Sequence, residues 1–399
     1  MVLGKNPMDT MCKEARLAVI PSDPLEAYKK AGYGSWLEEY YNPRHFFKEV
    51  YLLSPLEKEE RIEFGMKVIP TKPKELRSRL KEFGIDVVRA YGGYWACDMA
   101  CHHRVDGVPV VVSVHDTKAS LLYNSIKKAD FVFCMSEAVE KVVVMNYEHP
   151  ERVWILPNRV DFAIMRPYPE DTLADLEERY SFRHKILHVG RKSAEKNLDT
   201  LIKALKFLGN DYCVLAVGLG EVNGYVRLAR EESVADRCFF IETVQNNELA
   251  RFYSFADCMC TPSRREGFGI VFIEALACEA MVVTSDIGPM NEYIRNMENG
   301  FLVKDFENPK AIADAVKKAC EDESIRRVLK ANARQSVRKF EKSRVDALEV
   351  EYYKRVLEMN RKGHCSTPLF QKFTWTLEDH LRKLVPTYIK KKIRSRIYR

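Results

Sequence analysis

Lys185-Ile186-Leu187-His188-Val189-Gly190-Arg191-Lys192-Ser193-Ala194-Glu195-Lys196-Asn197 passes from an apolar run to a glycine and then to a cation-rich turn, and it is followed by Leu198, Leu201, Ile202, Leu205 and Leu208 at helical spacing. It reads as one strand, one tight turn and one helix, the unit from which parallel sheets are wound. The same alternation recurs on both sides. Upstream, Arg16–Pro21, Lys48–Ser54, Ile85–Tyr91, Pro109–His115, Asp130–Met135 and Arg152–Leu156 read as strands; downstream, Tyr212–Gly218, Cys238–Glu242, Asp257–Thr261, Met281–Ser285 and Asn299–Val303 do. Several runs are apolar throughout, as strands covered on both faces must be. Between the two series, Phe162 to His184 holds Pro167, Pro169 and a charged run, which reads as a linker with a short helix. The expected fold class is therefore α/β, with two doubly wound domains and ligands at the carboxyl ends of the strands.

A second stretch carries chemistry. Ser263-Arg264-Arg265-Glu266-Gly267-Phe268-Gly269-Ile270 continues into Val271-Phe272-Ile273-Glu274-Ala275-Leu276-Ala277, placing Glu266 before a helix and Glu274 two turns inside it. The Gly267-Phe268-Gly269 turn lets backbone N–H groups approach an oxygen-rich ligand, and the helix N-terminus favours negative charge there. The bland alternative is a dipole-stabilised surface Glu266 and a solvated Glu274, but the apolar neighbours of Glu274 argue against it. Arg191 as a planar fork and Lys196 as a point charge suit a diphosphate, against the alternative of ordinary surface cations. Val217-Gly218-Leu219-Gly220-Glu221 is a further glycine turn after a strand. His115-Asp116 ends the buried Val110–Val114 run where a cleft residue would sit, or merely closes a strand.

Composition bounds the rest. The chain has 399 residues, 46% hydrophobic and 30% charged, enough for more than one core. Its formal charge is +7, yet residues 380–399 hold eight Lys/Arg (Arg382, Lys383, Lys390, Lys391, Lys392, Arg394, Arg396, Arg399) and no acid, so the remainder is near neutral. A dedicated nucleic-acid binder would be basic more widely. Eleven cysteines without a C-x-x-C pair or an apolar leader point to reduced thiols and a cytoplasmic location. Cys97, Cys101, His102 and His103 fit no zinc spacing and read as core thiols and loop histidines. No run approaches the roughly eighteen apolar residues of a membrane span. The tail instead segregates Tyr388, Ile389, Ile393 and Ile397 from Lys390, Lys391, Arg394 and Arg399, with Leu369, Phe370, Phe373 and Trp375 upstream. That pattern predicts docking on an anionic membrane face, the alternatives being a solvated tail or a helix packed back on the protein.

Together these motifs resemble family 4 of the retaining glycosyltransferases, over roughly residues 85 to 360. Val-Ser-Val-His115-Asp is similar to its cleft histidine, Asp130 to Ser136 to its Ala-Asp-…-Ser strand, and Pro157-Asn158-Arg159-Val160-Asp161 to its interdomain Pro-Asn-Gly-Val-Asp. Gly190-Arg191…Lys196-Asn197 resembles the diphosphate site, and Glu266…Glu274 the E-x7-E motif. The resemblance implies a GT-B fold: two Rossmann-like domains facing a central cleft, with boundaries at 1–163, a linker at 164–184, 185–340, a returning helix at 341–362 and the basic tail at 363–399. It implies transfer of a sugar from a UDP- or GDP-linked donor, with retention, to an acceptor hydroxyl, and the tail's membrane pattern points to a glycan or lipid-linked acceptor. Catalytic roles fall on His115, Glu266, Arg191 and Lys196. Donor contacts fall on Gly190, Arg191, Lys196, Thr243, Val244, Glu266, Gly267, Phe268, Gly269, Ile270 and Glu274, with the base at Thr243 and Val244 and the ribose at Glu274. Two departures stand out. The usual Gly-Gly loop after the first strand is replaced by Ile20-Pro21-Ser22-Asp23-Pro24, leaving Gly34 as the phosphate-loop candidate, and Arg159 takes a glycine's place. No D-x-D triplet occurs, so no obligatory metal and no other cofactor is expected. A soluble-sugar synthase, a non-catalytic nucleotide-sugar-binding subunit and an epimerase on the same fold are the competing readings.

Overall fold

A computed structural model describes residues 14–30, 34–242, 244–363 and 365. The described residues divide into two compact units, one built from those within 14–135, 139–156 and 346–365, the other from those within 136–138 and 157–345. The basic segment 369–399 lies outside the described residues.

The first unit holds an eight-stranded sheet: β1 (Arg16–Ile20), β2 (Glu49–Ser54), β3 (Arg61–Glu63), β4 (Met66–Pro70), β5 (Val87–Tyr91), β6 (Val110–Val114), β7 (Phe131–Cys134) and β8 (Val153–Ile155), in the order β3-β4-β2-β1-β5-β6-β7-β8. Every pairing is parallel except β3 with β4. The central strands are apolar because helices cover both faces; Val110, Val112, Val114, Val132 and Cys134 pack with Ala96, Cys97, Met99 and Ala100 of the Trp95–His102 helix in one core. Cys97 and Cys101 are thus buried thiols. The winding reverses direction between β1 and β5, which makes that crevice the ligand-binding end of this sheet.

The hairpin β3–β4 has no counterpart in the sequence reading. Phe64 (φ 49°) and Gly65 (φ 69°) form its turn, and a phenylalanine at positive φ gives no turn signal. Gly34 opens a short 3-10 turn, Gly34–Trp36, and a Cβ there would stand 2.9 Å from the Phe64 ring. A Gly-Gly pair does occupy the β1/β5 crevice, but it is Gly92-Gly93 after β5.

The second unit is a six-stranded, fully parallel sheet: β9 (His184–Val189), β10 (Tyr212–Val217), β11 (Cys238–Ile241), β12 (Cys258–Thr261), β13 (Val282–Ser285) and β14 (Phe301–Val303), in the order β11-β10-β9-β12-β13-β14. This is the dinucleotide-fold winding, with its reversal between β9 and β12. Leu198, Leu201, Ile202 and Leu205, the helical series of the sequence, are buried against Ile186, Val214 and Cys260. Arg159 is buried and adopts no positive φ, so the glycine it replaces was not needed for backbone geometry here.

Candidate functional site

The reversal point of the second sheet is where Gly190, directly after β9, meets the loop after β12. Gly190 has φ 150°, and a Cβ on it would lie 3.2–3.3 Å from the aliphatic carbons of Lys196, whose stem therefore runs across the glycine. The backbone of Lys196 is fixed by its neighbours. His188 Nε2 lies 3.1 Å from the Lys196 carbonyl oxygen, and Asn197, in the left-handed conformation that asparagine tolerates, donates from Nδ2 to the Phe306 carbonyl at 3.0 Å. With its backbone held, Lys196 extends its ammonium to Glu266, Nζ to Oε1 being 2.5 Å. Ser263 Oγ donates to the same carboxylate oxygen at 2.8 Å.

Glu266 leads into the glycine turn. Gly269 caps the Ile270–Ala277 helix at φ 74°, where a Cβ would stand 2.7 Å from Phe272 and 2.9 Å from the Tyr293 hydroxyl. Only glycine fits. Tyr293 Oη donates to the carbonyls of Phe268 (2.8 Å) and Gly269 (3.1 Å), holding the turn from behind. Two turns on, Glu274 is buried and accepts from Tyr253 Oη at 3.1 Å. Burial raises its pKa to about 7, with the tyrosine hydrogen bond opposing. Arg191 is exposed, without a side-chain hydrogen bond or ion pair among the described residues, whereas the two arginines just before Glu266 are committed: Arg264 forks onto Asp199 and Glu307, and Arg265 pairs with Glu195. Among the described residues no three His, Cys, Asp or Glu side chains converge as metal ligands.

These features have known counterparts. A family model described as "Glycosyltransferase Family 4" matches residues 43–163, and one described as "Glycosyl transferases group 1" matches residues 176–336; together they span well over half of the chain. The chain belongs to glycosyltransferase family 4. An uncharacterised glycosyltransferase of Methanocaldococcus jannaschii is 28% identical over 63% of this chain and 70% of its own length. A D-inositol 3-phosphate glycosyltransferase of Xylanimonas cellulosilytica is 31% identical over 51% of each, so this chain spans about half of that relative. The crystal structure of Anabaena HepE with UDP and glucose shares the fold at a TM-score of 0.69 and 17% identity, covering 85% of this chain and 99% of that one. The protein is thus an α/β glycosyltransferase of the GT-B type.

In this family 4 enzyme the second unit collects Gly190, Arg191, Lys196, Glu266 and the 267–270 turn at one strand reversal, with Glu274 further along the helix. Val244 lies in the loop after β11, and Thr243 lies outside the described residues. His115 belongs to the first unit. It lines a cavity of about 160 Å³ with Gly92, Gly93, Tyr94, Val114, Asp116, Leu121 and Leu122. Its Nε2 and the neighbouring Tyr91 hydroxyl are buried without a hydrogen-bond partner among the described residues. Burial, with Arg89 nearby, holds its pKa down to about 3, so the imidazole is neutral at physiological pH and offers one donor and one acceptor. Sequence reasoning missed Ser263 and Tyr253, which hold the two glutamates: Ser263 stands in a Ser-x-x-Glu spacing before Glu266 that could have signalled it, whereas Tyr253 has no spacing that points to Glu274.

The raised pKa of Glu274 predicts a pH-dependent stability. Between the unfolded carboxylate's usual 4.5 and about 7 the folded chain retains a proton that the unfolded chain has lost, so this group's contribution falls as pH rises through that window and is fully adverse above it. Glu274→Gln is expected to raise the unfolding temperature at pH 8 and to leave it unchanged at pH 4, as measured by calorimetry. An equal shift at both values would show that burial of the charge is not the cause.

Proposed function

We propose that the enzyme transfers a hexosyl group, with retention, from a UDP- or GDP-linked donor to a hydroxyl of a glycan or lipid-linked acceptor. The observation that carries this reading is the Lys196–Glu266 pair, seated over Gly190 at the strand reversal. Lys196 and Arg191 suit the donor diphosphate, the N–H groups of the 267–270 turn its remaining oxygens, and Glu266 the sugar hydroxyls. Glu274 with Tyr253 suits the ribose, Val244 and Thr243 the base, and the neutral His115 a sugar hydroxyl. HepE, of the same fold, has been crystallised with UDP and glucose, which supports a uridine donor.

In the reaction the bond from the anomeric carbon to the diphosphate oxygen breaks and its electron pair leaves with the nucleoside diphosphate. The acceptor oxygen bonds to that carbon on the same face, and its proton passes to the departing phosphate oxygen. Charge therefore accumulates on the diphosphate, where Arg191, Lys196 and the helix N-terminus stabilise it without reorganising. Because cations occupy this position and the sequence has no D-x-D triplet, activity is expected to survive excess EDTA; complete loss restored by Mg2+ or Mn2+ would refute metal independence.

The deciding assay incubates the enzyme with radiolabelled UDP- and GDP-hexoses, with and without a lipid extract. Label in the organic phase that depends on the extract, with the donor's anomeric configuration by NMR, is expected. Water-soluble product alone would replace the acceptor assignment by a soluble-sugar synthase, a rearranged free donor would indicate an epimerase, and no product at all would leave a binding subunit. Peripheral attachment at the cytoplasmic face rests on the basic segment. The full chain is expected to sediment with acidic liposomes at low salt, and a chain ending at Lys362 to remain in solution; equal sedimentation would remove that role.

A further inference from the structure

Lys192 is a cation beside the donor site that has no part in the roles assigned above. It follows Arg191 in a solvent-facing turn, yet it is only 7% exposed. The reason lies in two glycines from another loop. A Cβ on Gly218 would stand 2.1 Å from the Gly190 carbonyl oxygen, and one on Gly220 would stand 2.8 Å from that of Lys192. Lacking side chains, the 218–220 turn closes onto the 190–192 turn, and the Lys192 amide donates to the Leu219 carbonyl at 2.7 Å. The Lys192 side chain then crosses the ends of two strands. Its ammonium donates to the carbonyls of Gly218, just past β10, and of Ile241, the last residue of β11, the latter at 2.8 Å.

The location is informative. In a parallel sheet the ligand lies beyond the carboxyl ends of the strands, and the Lys196–Glu266 pair marks the reversal between β9 and β12. The β10/β11 boundary is two strand spacings away, about 10 Å. A nucleoside diphosphate anchored by its phosphates at the reversal, with its ribose toward Glu274, has its base as the part that extends along the strand ends. An ammonium has three donors and no acceptor. Two of them have carbonyl partners here, which fixes the group's position and leaves it suited to an oxygen acceptor on the base. Burial lowers its pKa from the usual lysine range, with Glu242 opposing, so keeping its charge favours a further acceptor.

We infer that Lys192 selects the donor's nucleobase, favouring bases that carry a ring carbonyl oxygen (uracil, guanine) over adenine, which has none. This rests on the donor-site reading and adds the chemical class of base to it. A hydrogen bond from a charged donor contributes about ten- to a hundredfold in affinity.

The test measures binding of UDP, GDP and ADP to the purified full chain by calorimetry, independently of any acceptor. The wild-type chain is expected to bind UDP or GDP at least about tenfold more tightly than ADP. Lys192→Met is expected to lose most of that ratio while still binding all three through the diphosphate; Lys192→Arg, which keeps a charged donor, is expected to retain part of it. Equal affinity of the wild-type chain for ADP overturns the inference, as does a base ranking unchanged in Lys192→Met. If no nucleoside diphosphate binds at all, the donor-site reading falls and this inference with it. The wild-type ranking keeps the test decisive should the methionine variant fail to fold.

Discussion

Glu349→Ala is expected to destabilise the first unit by about 3–5 kcal/mol, the loss that follows when one partner of a buried ion pair is removed. Arg89, in the middle of β5, is 3% exposed, and Glu349 on the Lys342–Arg361 helix is wholly buried. The guanidinium donates through Nη1 to Glu349 and to Tyr353 Oη (2.7 Å), and through Nε to Ser113 Oγ (2.9 Å). Its faces lie over the rings of Tyr91 (4.7 Å), Phe133 (5.0 Å) and Tyr353 (5.6 Å). Charge and hydrogen bonds are thus satisfied together, the condition under which a buried pair is tolerated. With Glu349 gone, the guanidinium stays buried without its counter-ion. Urea unfolding measures the loss, and a decrease under about 1 kcal/mol would show that water reaches Arg89. The pair Arg89→Met with Glu349→Leu is expected to recover much of it, because apolar replacement of both partners removes the desolvation cost.

Arg89 also shows how far the sequence was legible. A single arginine inside Val87-Val88-Arg89-Ala90-Tyr91 on a central parallel strand requires a buried acid, but nothing local identifies Glu349, 260 residues away. The strands themselves were readable because both faces are covered and their apolar runs are continuous. β3 and β4 were not: Arg61–Glu63 follows an acidic tract, Ile62 is 79% exposed at the sheet edge, and the Phe64-Gly65 turn lacks the usual Asn-Gly signal.

The site was legible to the same depth. Gly190, Lys196, Glu266, Gly269 and Glu274 were found because each lies at a fixed offset from a strand end or a helix start. Lys192 carried no signal of its own in the sequence because its burial depends on Gly218 and Gly220, which reach it through β10. Gly92-Gly93 lies after β5 in the crevice beside β1, a placement the sequence does not betray because the two strands are neighbours in space and far apart in sequence.

Replacement of Glu266 by alanine is expected to cut transfer by roughly a hundred- to a thousandfold, corresponding to about 2.7–4 kcal/mol of lost transition-state stabilisation. Glu266→Gln is the more revealing change. Lys196 is paired with Glu266 at 2.5 Å, and in the proposed donor-site reading a diphosphate takes over the ammonium as its own counter-ion while the carboxylate turns to the sugar. An uncharged glutamine leaves Lys196 available. Glu266→Gln should therefore bind the nucleoside diphosphate product more tightly than the parent does while transferring sugar far more slowly, separating affinity from turnover. Lys196→Ala should weaken that affinity and leave Glu266 with Ser263 as its partner. Because the two side chains act on one another, the double variant should lose less than the sum of the singles. Steady-state kinetics with product-inhibition constants, on variants whose unfolding transition matches the parent, measures all of this. Parent-level transfer by Glu266→Ala would remove the carboxylate from the donor site. Unchanged product affinity in Glu266→Gln would show that Lys196 does not exchange partners when the diphosphate binds.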